Sequence, residues 1–400
     1  MRLVFLAHAP VQGGSNEFLV QVRGFFRARG HEVQVIFGSG TKPFDPSFGD
    51  ALVLEGVFAS WRERMRAYVR LVESCQPDVV YTFSGHDEFD LFRFLRCARV
   101  RHVFSLESQP FMDIPYALHT YQDYIEMLTA NTPDAVEETA RHTQCPCLLA
   151  PYRMIYPDEG RQDGIISPVP PELPIQVAYV SRLEYLQKRA HWLPEIIHRC
   201  REAGANLQWH IYGDGPEAPL LHRKLAGAGD VVLHGWTSRD ILYQRLPTHQ
   251  IFFLCSRWEG LPVAMLEAML RGLACVVPDI PAGIRWIIGQ GGGWLYNADS
   301  PRAAADALVA ATRDRTLIAK KQNEALGLST RLFPPGQAED YFHKLETAFQ
   351  KLTWNGRALD PATAPPFRPV RWPAYLERVP VAWHKLKQSP VQFLKRAAAT

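Results

Sequence analysis

The stretch DEGRQDGIISPVPPELPIQVAYV, residues 158–180, contains the boundary on which the fold depends. Its first part, residues 158–174, is rich in proline, glycine and charge and has no hydrophobic period, which is typical of a linker between domains. Its last part, from residue 175 onward, is a β-rich run of the kind that begins a sheet. The stretch therefore predicts that one domain ends before residue 175 and that a second begins there.

On both sides of this boundary, short β-rich runs alternate with helical patterns. LVFLA at 3–7 is followed by a glycine turn, and apolar residues then recur at helical spacing up to Gly30. After the boundary the same alternation restarts and continues through ACVVPD at 274–279. Such alternation predicts an α/β chain with two doubly wound parallel sheets, whose ligands would bind beyond the carboxyl ends of the strands.

Length and composition agree with two globular domains. The 400 residues are 47% hydrophobic and 21% charged, and no apolar run reaches the ~18 residues of a membrane-spanning helix. The apolar start of the chain breaks at His8 and Pro10, so it reads as a buried strand rather than a signal peptide. The seven cysteines are odd in number and scattered, which favours a reducing cytoplasm over a disulfide framework.

The net charge of +3 is unevenly distributed. Residues 353–400 hold eight Lys and Arg against two Asp and Glu, so the rest of the chain is mildly acidic and does not resemble a nucleic-acid binder. The basic segment also contains Trp354, Trp372 and Trp383. Cations mixed with aromatic rings predict contact with an anionic membrane surface, and the alternative is a solvated arm or a flap packed on the protein.

Two glutamates stand out in SRWEGLPVAMLEAML, residues 256–270. Glu259 lies in the loop after an apolar strand. Pro262 is expected in the first turn of the next helix, and Glu267 is expected one turn into that helix. Backbone amides at the start of that helix would suit an anion. The alternative is that both glutamates are surface residues that favour the helix start through its dipole.

Three weaker features share the same position after a strand. SRLEYLQKR supplies Arg182 and Lys188, which either neutralise a phosphate or belong to a solvated charge run. IYGDGPE at 211–217 allows a tight strand-to-helix turn. Gly13-Gly14 precedes a helix, with Ser15 as its expected N-cap, but it lacks the G-x-G-x-x-G spacing, so NAD binding is not expected.

In combination, these motifs resemble the retaining glycosyltransferases of the two-domain GT-B type, family 4. The resemblance covers roughly residues 1–350 and is carried by E-x7-E at Glu259 and Glu267, R-x5-K at Arg182 and Lys188, the YGDGP turn, and LHGW at 233–236. It implies two Rossmann-like domains that face a central cleft. It further implies an acceptor-side domain at 1–165 that a helix at 337–352 rejoins, and a nucleotide-sugar domain at 175–335.

The resemblance also implies roles for single residues. Glu267 would hold the ribose of a nucleotide sugar and Glu259 would contact the transferred sugar, while Arg182 and Lys188 would neutralise the diphosphate. The remaining expected donor contacts are Gly13, Gly14, Gly213, Trp236, Gly260, Leu261 and Pro262. No cofactor and no metal would be needed, because fixed cations and amides supply the electrostatic stabilisation.

One departure from the family pattern affects the acceptor side. Many members carry a histidine after a first-domain strand, whereas HVFSLESQP places Glu107 near that position. Glu107 is therefore a further catalytic candidate, and His86 is a second candidate for the cleft. The implied acceptor is a glycan or a lipid-linked glycan, which would place the protein in the cytoplasm, peripheral on the inner face of the membrane.

Two other functions remain open from the sequence. A nucleotide-sugar 2-epimerase could use the same fold. It would need acidic and basic side chains beside the bound sugar, and the sequence does not identify any. A non-catalytic nucleotide-sugar-binding scaffold would belong to a different functional class. The presence of Glu259, Arg182 and Lys188, the residues expected to act on the donor, argues against it.

Overall fold

The structure is a computed structural model. It describes residues 1–7, 14–38, 48–56, 60–83, 100–106, 122–150, 164–281, 283–334 and 336–354, and the single positions Phe58, Leu91 and Leu95. Gly13, His86, Glu107, the first part of the expected linker at 158–163 and residues 355–400 lie outside this set.

The first sheet has seven parallel strands in the order β3-β2-β1-β4-β5-β6-β7. Its strands are β1 Arg2–Ala7, β2 Glu32–Phe37, β3 Leu52–Val53, β4 Val79–Phe83, β5 Arg101–Leu106, β6 Met127–Ala130 and β7 Cys147–Leu149. The central strands β1 and β4 are apolar nearly throughout because both faces of the sheet are covered.

The second sheet has six parallel strands in the order β10-β9-β8-β11-β12-β13. Its strands are β8 Ile175–Val180, β9 Leu207–Tyr212, β10 Val231–Gly235, β11 Ile251–Phe253, β12 Ala274–Pro278 and β13 Gly293–Tyr296. In both sheets the strand order reverses next to the first strand. The prediction of two doubly wound α/β domains is therefore confirmed.

Helices cover both faces of each sheet. Those of the first part of the chain are α1 Gly14–Ala28, α2 Trp61–Ser74 and α3 Pro133–His142. Those that follow are α4 Leu193–Glu202, α5 Ala218–Leu225, α6 Arg239–Arg245, α7 Val263–Met269, α8 Gly283–Ile288, α9 Pro301–Thr312, α10 Arg315–Leu332 and α11 Gln337–Lys351. Within these described segments, no helix combines the length and the apolar character that crossing a membrane requires.

The last helix, α11, packs on the first domain. The ring of Phe349 stacks on Phe26 of α1 with centroids 5.5 Å apart. Buried Glu346 accepts one hydrogen bond of 2.7 Å from Arg29 Nε and makes a 2.7 Å contact with His31. Burial opposes the charged form of Glu346, but His31 and Arg29 hold its pKa below the ordinary value. A buried aromatic face and the partners of the buried carboxylate of Glu346 therefore fix α11 to the first domain.

Two local expectations were wrong. Pro262 is the N-cap of α7, with extended φ and ψ angles, and does not lie within the helix. Ser15 lies inside α1, which begins at Gly14. Both errors concern one residue at a helix start, where a proline or a serine suits either side of the boundary.

Candidate functional site

The candidate site lies where the strand order of the second sheet reverses. Strand β8 pairs with β9 on one side and with β11 on the other. The connections that leave β8 and β11 therefore diverge and open a crevice at the carboxyl ends of the strands. The loop after β8 carries Arg182 and Lys188, and the loop after β11 carries Glu259.

Lys188 and Glu259 form an ion pair across this crevice. Lys188 Nζ donates to Glu259 Oε1 at 2.6 Å, and the two side chains are only 14% and 6% exposed. Gln187 reinforces the pair, because its Nε2 donates to the backbone carbonyl of Trp258 at 3.2 Å and lies 3.5 Å from Glu259 Oε2. The carboxylate of Glu259 is thus held in one orientation by its neighbours from the opposite loop.

Arg182 joins the same network from the solvent side. Its exposed guanidinium donates from Nη2 to Gln187 Oε1 at 2.9 Å. Gln187 therefore connects the exposed cation at 182 to the buried carboxylate at 259. The structure brings together Arg182, Lys188 and Glu259, three of the four residues expected to be catalytic. The fourth, Glu107, lies outside the described residues.

Gly213 has a packing role in this arrangement. It has a φ of +135°, and a Cβ atom built on it would lie 1.9 Å from the carbonyl oxygen of Ser181. Gly215 has a φ of +152°, and its Cβ would meet the carbonyl oxygen of Leu183 at 2.5 Å. The glycine turn after β9 therefore lies directly against the loop that carries Arg182, and only glycine fits at both positions.

The amides next to Glu259 are arranged around Gly260. Its carbonyl oxygen accepts a 3.0 Å hydrogen bond from Gly283 of α8, and a Cβ on Gly283 would come within 2.4 Å of that oxygen. The amides of Leu261 and Val263 donate to no residue in the part of the chain that is described. These N–H groups are available to an anion beside the Lys188–Glu259 pair.

Glu267 is the centre of a second polar cluster. It is 6% exposed and accepts hydrogen bonds on Oε1 from Arg239 Nη2 at 2.7 Å and from the hydroxyl of Tyr243 at 2.6 Å. Arg271 donates to the backbone carbonyl of Glu267 at 3.1 Å and lies 3.3 Å from the centroid of the Tyr243 ring. The cluster fixes the carboxylate one helical turn into α7, near the free amides.

Burial and charge act in opposite directions on this cluster. Burial disfavours the charged form of Arg239, but the carboxylates of Glu267 and Glu17, with the Tyr243 hydroxyl, outweigh it and raise the pKa of Arg239. Burial, followed by the adjacent carboxylate of Glu267, raises the pKa of Tyr243. The arginine is therefore charged and the tyrosine is a neutral hydrogen-bond donor across the physiological pH range.

The first domain reaches this cluster at two points. Arg239 Nη1 donates to Glu17 Oε2 of α1 at 2.8 Å. Gly14, the first residue of α1, lies against Val263, the first residue of α7, so closely that a Cβ on Gly14 would be 2.5 Å from Val263 Cγ2. Helix α1 and helix α7 therefore face each other at their N-terminal ends, with the polar cluster between the domains.

The other expected donor contacts are distributed around the same edge. Trp236 follows β10 and is 58% exposed, so its ring is available to a ligand. Leu261 and Pro262 lie between the two glutamates, and Gly13 is outside the described residues. No group of His, Cys, Asp and Glu with the arrangement of a metal site occurs among the residues that the structure describes.

Sequence reasoning missed three residues of the site. Gln187, Arg239 and Tyr243 each hold one of the two glutamates or the cation beside it. Gln187 precedes Lys188 directly, and its position in the loop was a usable signal. Arg239 and Tyr243 are four residues apart on α6, which places them on one face of a helix, but nothing in the sequence connects that face to Glu267.

A family model described as "Glycosyl transferases group 1" matches residues 174–314 of this chain. The lipopolysaccharide 1,6-galactosyltransferase of Salmonella typhimurium is 26% identical over 204 residues, which are 48% of this chain and 54% of the relative. The GDP-mannose:cellobiosyl-diphosphopolyprenol alpha-mannosyltransferase of Xanthomonas campestris is 43% identical over 110 residues, 26% of this chain and 29% of the relative. These alignments span at most about half of the curated relatives.

Solved structures match over a larger part of the chain. The apo form of the lipopolysaccharide outer core galactosyltransferase WaaB has a TM-score of 0.63 at 18% identity and covers 87% of this chain and 100% of its own. Anabaena Alr3699/HepE in complex with UDP and glucose has a TM-score of 0.67 at 15% identity, with the same coverage. At these identities the likeness establishes the fold, the GT-B arrangement of two Rossmann-like domains.

Proposed function

We propose that this chain, whose residues 174–314 match the family model of the glycosyl transferases group 1, moves a hexosyl group from a nucleoside-diphosphate sugar to a glycan or lipid-linked acceptor. The observation that carries the proposal is the placement of Lys188, Glu259 and the free amides of Leu261 and Val263 around one crevice. The relatives named above transfer galactose or mannose, and one matching structure contains UDP and glucose.

In the proposed reaction the bond between the sugar C1 and the diphosphate oxygen breaks. Lys188, exposed Arg182 and the amides stabilise the negative charge that grows on the departing diphosphate. Glu259, held in place by Lys188 and Gln187, contacts the sugar hydroxyls and the positive charge that develops on the ring. Glu267 accepts hydrogen bonds from the ribose.

We further propose that the reaction retains the configuration at C1 and needs no metal. The acceptor oxygen bonds to C1 on the face that the diphosphate leaves, and the proton of the acceptor passes to the departing diphosphate oxygen. Lys188, Arg182 and the free amides of Leu261 and Val263 follow neighbouring strand ends, which supports stabilisation of the leaving group by the protein itself. The anomeric configuration of the product and activity in a chelator test these two points.

The first experiment is a thermal-shift panel of UDP, GDP, ADP and their sugars, because a ligand that binds only the folded state raises Tm by mass action. Consumption of the preferred donor is then measured with and without lipid-linked and soluble glycan acceptors. Acceptor-dependent release of the nucleoside diphosphate supports transfer. Binding without turnover would favour the scaffold, and release of a 2-epimer would favour the epimerase, which none of the relatives named above is.

A lipid-linked acceptor would place the enzyme at a membrane, and we propose that residues 353–400 provide this contact on the cytoplasmic face. The proposal rests on their eight basic and two acidic residues and on their tryptophans, since each basic residue near anionic lipid contributes about 1 kcal/mol. A chain that ends at residue 353 should lose sedimentation with anionic vesicles and keep turnover of a soluble acceptor. Equal sedimentation of both chains would contradict the proposal.

A further inference from the structure

Arg239 contacts acidic side chains of both domains at once. Its Nη2 donates to Glu267 at 2.7 Å in the second domain, and its Nη1 donates to Glu17 at 2.8 Å in the first. Its side chain is only 23% exposed. A guanidinium is planar and its donors point in fixed directions, so it can bridge two carboxylates in a way that a flexible ammonium cannot.

The hydrogen bonds that the described residues make to the carboxylate of Glu267 all go to one of its two oxygens. Arg239 donates to Oε1 from Nε at 3.1 Å and from Nη2, and Tyr243 donates to the same atom. Oε2 accepts no hydrogen bond from the residues that the structure describes. A carboxylate that is anchored through one oxygen and open at the other is suited to receive the hydroxyls of a ligand on the open side.

The anchoring is tied to the arrangement of the two domains. Glu17 is on α1, three residues after Gly14, and Gly14 is in close contact with Val263 at the start of the helix that carries Glu267. If the domains separate, Arg239 loses Glu17, and its guanidinium is held only by Glu267 and Tyr243 of its own domain. Glu267 then keeps its contacts with Arg239 and Tyr243 but loses the link through Arg239 to the first domain.

From these contacts we infer that Arg239 is a positioning residue that makes recognition of the ribose hydroxyls depend on domain closure. The inference rests on the proposed function, because it concerns how the nucleotide of the donor is held. Glu17 of the first domain holds Arg239 in this position only when the domains are closed. By linkage, any ligand that favours the closed arrangement also favours the correctly oriented Glu267, and ribose binding favours closure by the same factor.

The test compares each ribonucleoside diphosphate with its 2′-deoxy counterpart. Dissociation constants of UDP, GDP and ADP and of the three 2′-deoxy forms are measured by calorimetry, and the preferred base gives a ribo/deoxy ratio. The unmodified chain should prefer the ribo form by at least about 10-fold, since it forms one more hydrogen bond to a charged group. Glu17→Gln and Arg239→Gln should each lower this ratio several-fold, and Tyr243→Phe should lower it to a smaller extent.

A matched control separates positioning from a loss of folding. Arg201 makes a bidentate ion pair with Asp230 in the same domain, at 2.5 and 2.7 Å, away from the crevice. Arg201→Gln should leave the ribo/deoxy ratio unchanged even if it lowers Tm. The ratio compares two ligands on one folded protein, so a purely structural role of Arg239 would not change it.

Two outcomes would overturn the inference while the proposed function stands. If Arg239 contacts the diphosphate directly, Arg239→Gln weakens the ribo and deoxy forms equally and the ratio stays the same. If Glu17→Gln keeps the ratio of the unmodified chain, closure does not act through this contact. Failure of the unmodified chain to bind any nucleoside diphosphate would instead overturn the proposed function, and this inference with it.

Discussion

The ammonium nitrogen of Lys188 lies 2.6 Å from Oε1 of Glu259, and the two groups come from loops that leave neighbouring strands in opposite directions. The pair is largely shielded from solvent, so its attraction is stronger than that of a surface pair. Each partner orients the other, and in the proposed reaction this is where the leaving group and the sugar meet.

Replacement of Glu259 should affect turnover more than donor binding. In the proposed reaction its carboxylate interacts most strongly with the charge that develops on the sugar, so Glu259→Ala should lower kcat by about 100-fold with little change in KM. Steady-state kinetics with the preferred donor measures both constants, and circular dichroism checks folding. Glu195→Ala, at an exposed site on α4, is the control. A folded Glu259→Ala protein with ordinary turnover would contradict the assigned mechanism.

Replacement of Lys188 should affect both turnover and stability. Lys188→Ala removes a cation that would face the departing diphosphate and leaves the buried carboxylate of Glu259 without its ion-pair partner. Loss of one partner of a buried ion pair lowers the free energy of unfolding by about 3 kcal/mol. Loss of the cation beside the leaving group should in addition lower kcat. Lys224→Ala, at an exposed position on α5, should change neither quantity. Unchanged kcat and unchanged urea denaturation of Lys188→Ala would both argue against the role.

Replacement of Glu267 should mainly weaken the donor complex. Glu267→Ala removes the charged acceptor to which the ribose hydroxyls would donate hydrogen bonds, worth about 1.5–3 kcal/mol, so the donor KM should rise by about 10- to 100-fold while kcat changes little. Donor titration at saturating acceptor measures this effect. Glu202→Ala on the exposed face of α4 is the comparison. A fall in kcat at constant KM would assign Glu267 to the chemical step instead.

A methyl group at Gly213 should displace the loop that carries Arg182. Gly213→Ala brings its Cβ within 1.9 Å of the Ser181 carbonyl, in addition to an unfavourable positive φ. The strain alone costs about 1–3 kcal/mol, so Tm should drop and the donor KM should rise. Gly227→Ala has a φ of +75° and no atom within 4 Å of its Cβ. It should show the backbone strain without the loss of donor affinity.

Stability should decrease in mild acid because of His249. Burial, followed by nearby His210, lowers the pKa of His249 from 6.5 to about 4. The unfolded chain therefore binds a proton below about pH 6.5 that the folded chain does not accept until about pH 4. This contribution is present above pH 6.5 and should fall by about 3 kcal/mol between these two values.

Urea denaturation at pH 7.5, 6.5, 5.5 and 4.5 measures the effect of His249. The ring of His249 lies between the Tyr212 hydroxyl, 3.3 Å from Nε2, and the carbonyl of Arg245, 2.9 Å from Nδ1. His249→Gln keeps a polar side chain that does not titrate, and it should have a shallower dependence on pH than the unmodified protein. An identical slope for both proteins would rule out His249 as the source.

The sequence was sufficient to predict the two sheets and the loops that bear the site. Short β-rich runs and helical periods alternate regularly, and a parallel sheet places the ends of its strands at one edge. Arg182, Lys188 and Glu259 therefore lie near one another because each closely follows a strand end. Their contacts require only that β8 and β11 are neighbours, which the doubly wound order provides.

The contacts of Arg239 could not be predicted in this way. Arg239 is 28 residues from Glu267 and 222 residues from Glu17, and each lies on a different helix. Whether the three meet depends on the crossing of α6 and α7 and on the approach of the two domains. The packing role of Gly213 could not be predicted either. The sequence shows a glycine that permits a tight turn, but not whether that glycine faces a ligand or a carbonyl oxygen.

The return of α11 to the first domain has a consequence for synthesis of the chain. The aromatic face formed by Phe26 and Tyr81 is completed by Phe349, which a ribosome adds more than 260 residues after Tyr81. The first sheet therefore leaves the ribosome with that face uncovered, while the second domain is still being translated. We expect this exposed apolar face to make the nascent N-terminal half prone to aggregation, and therefore a target for chaperones, until α11 has been synthesised.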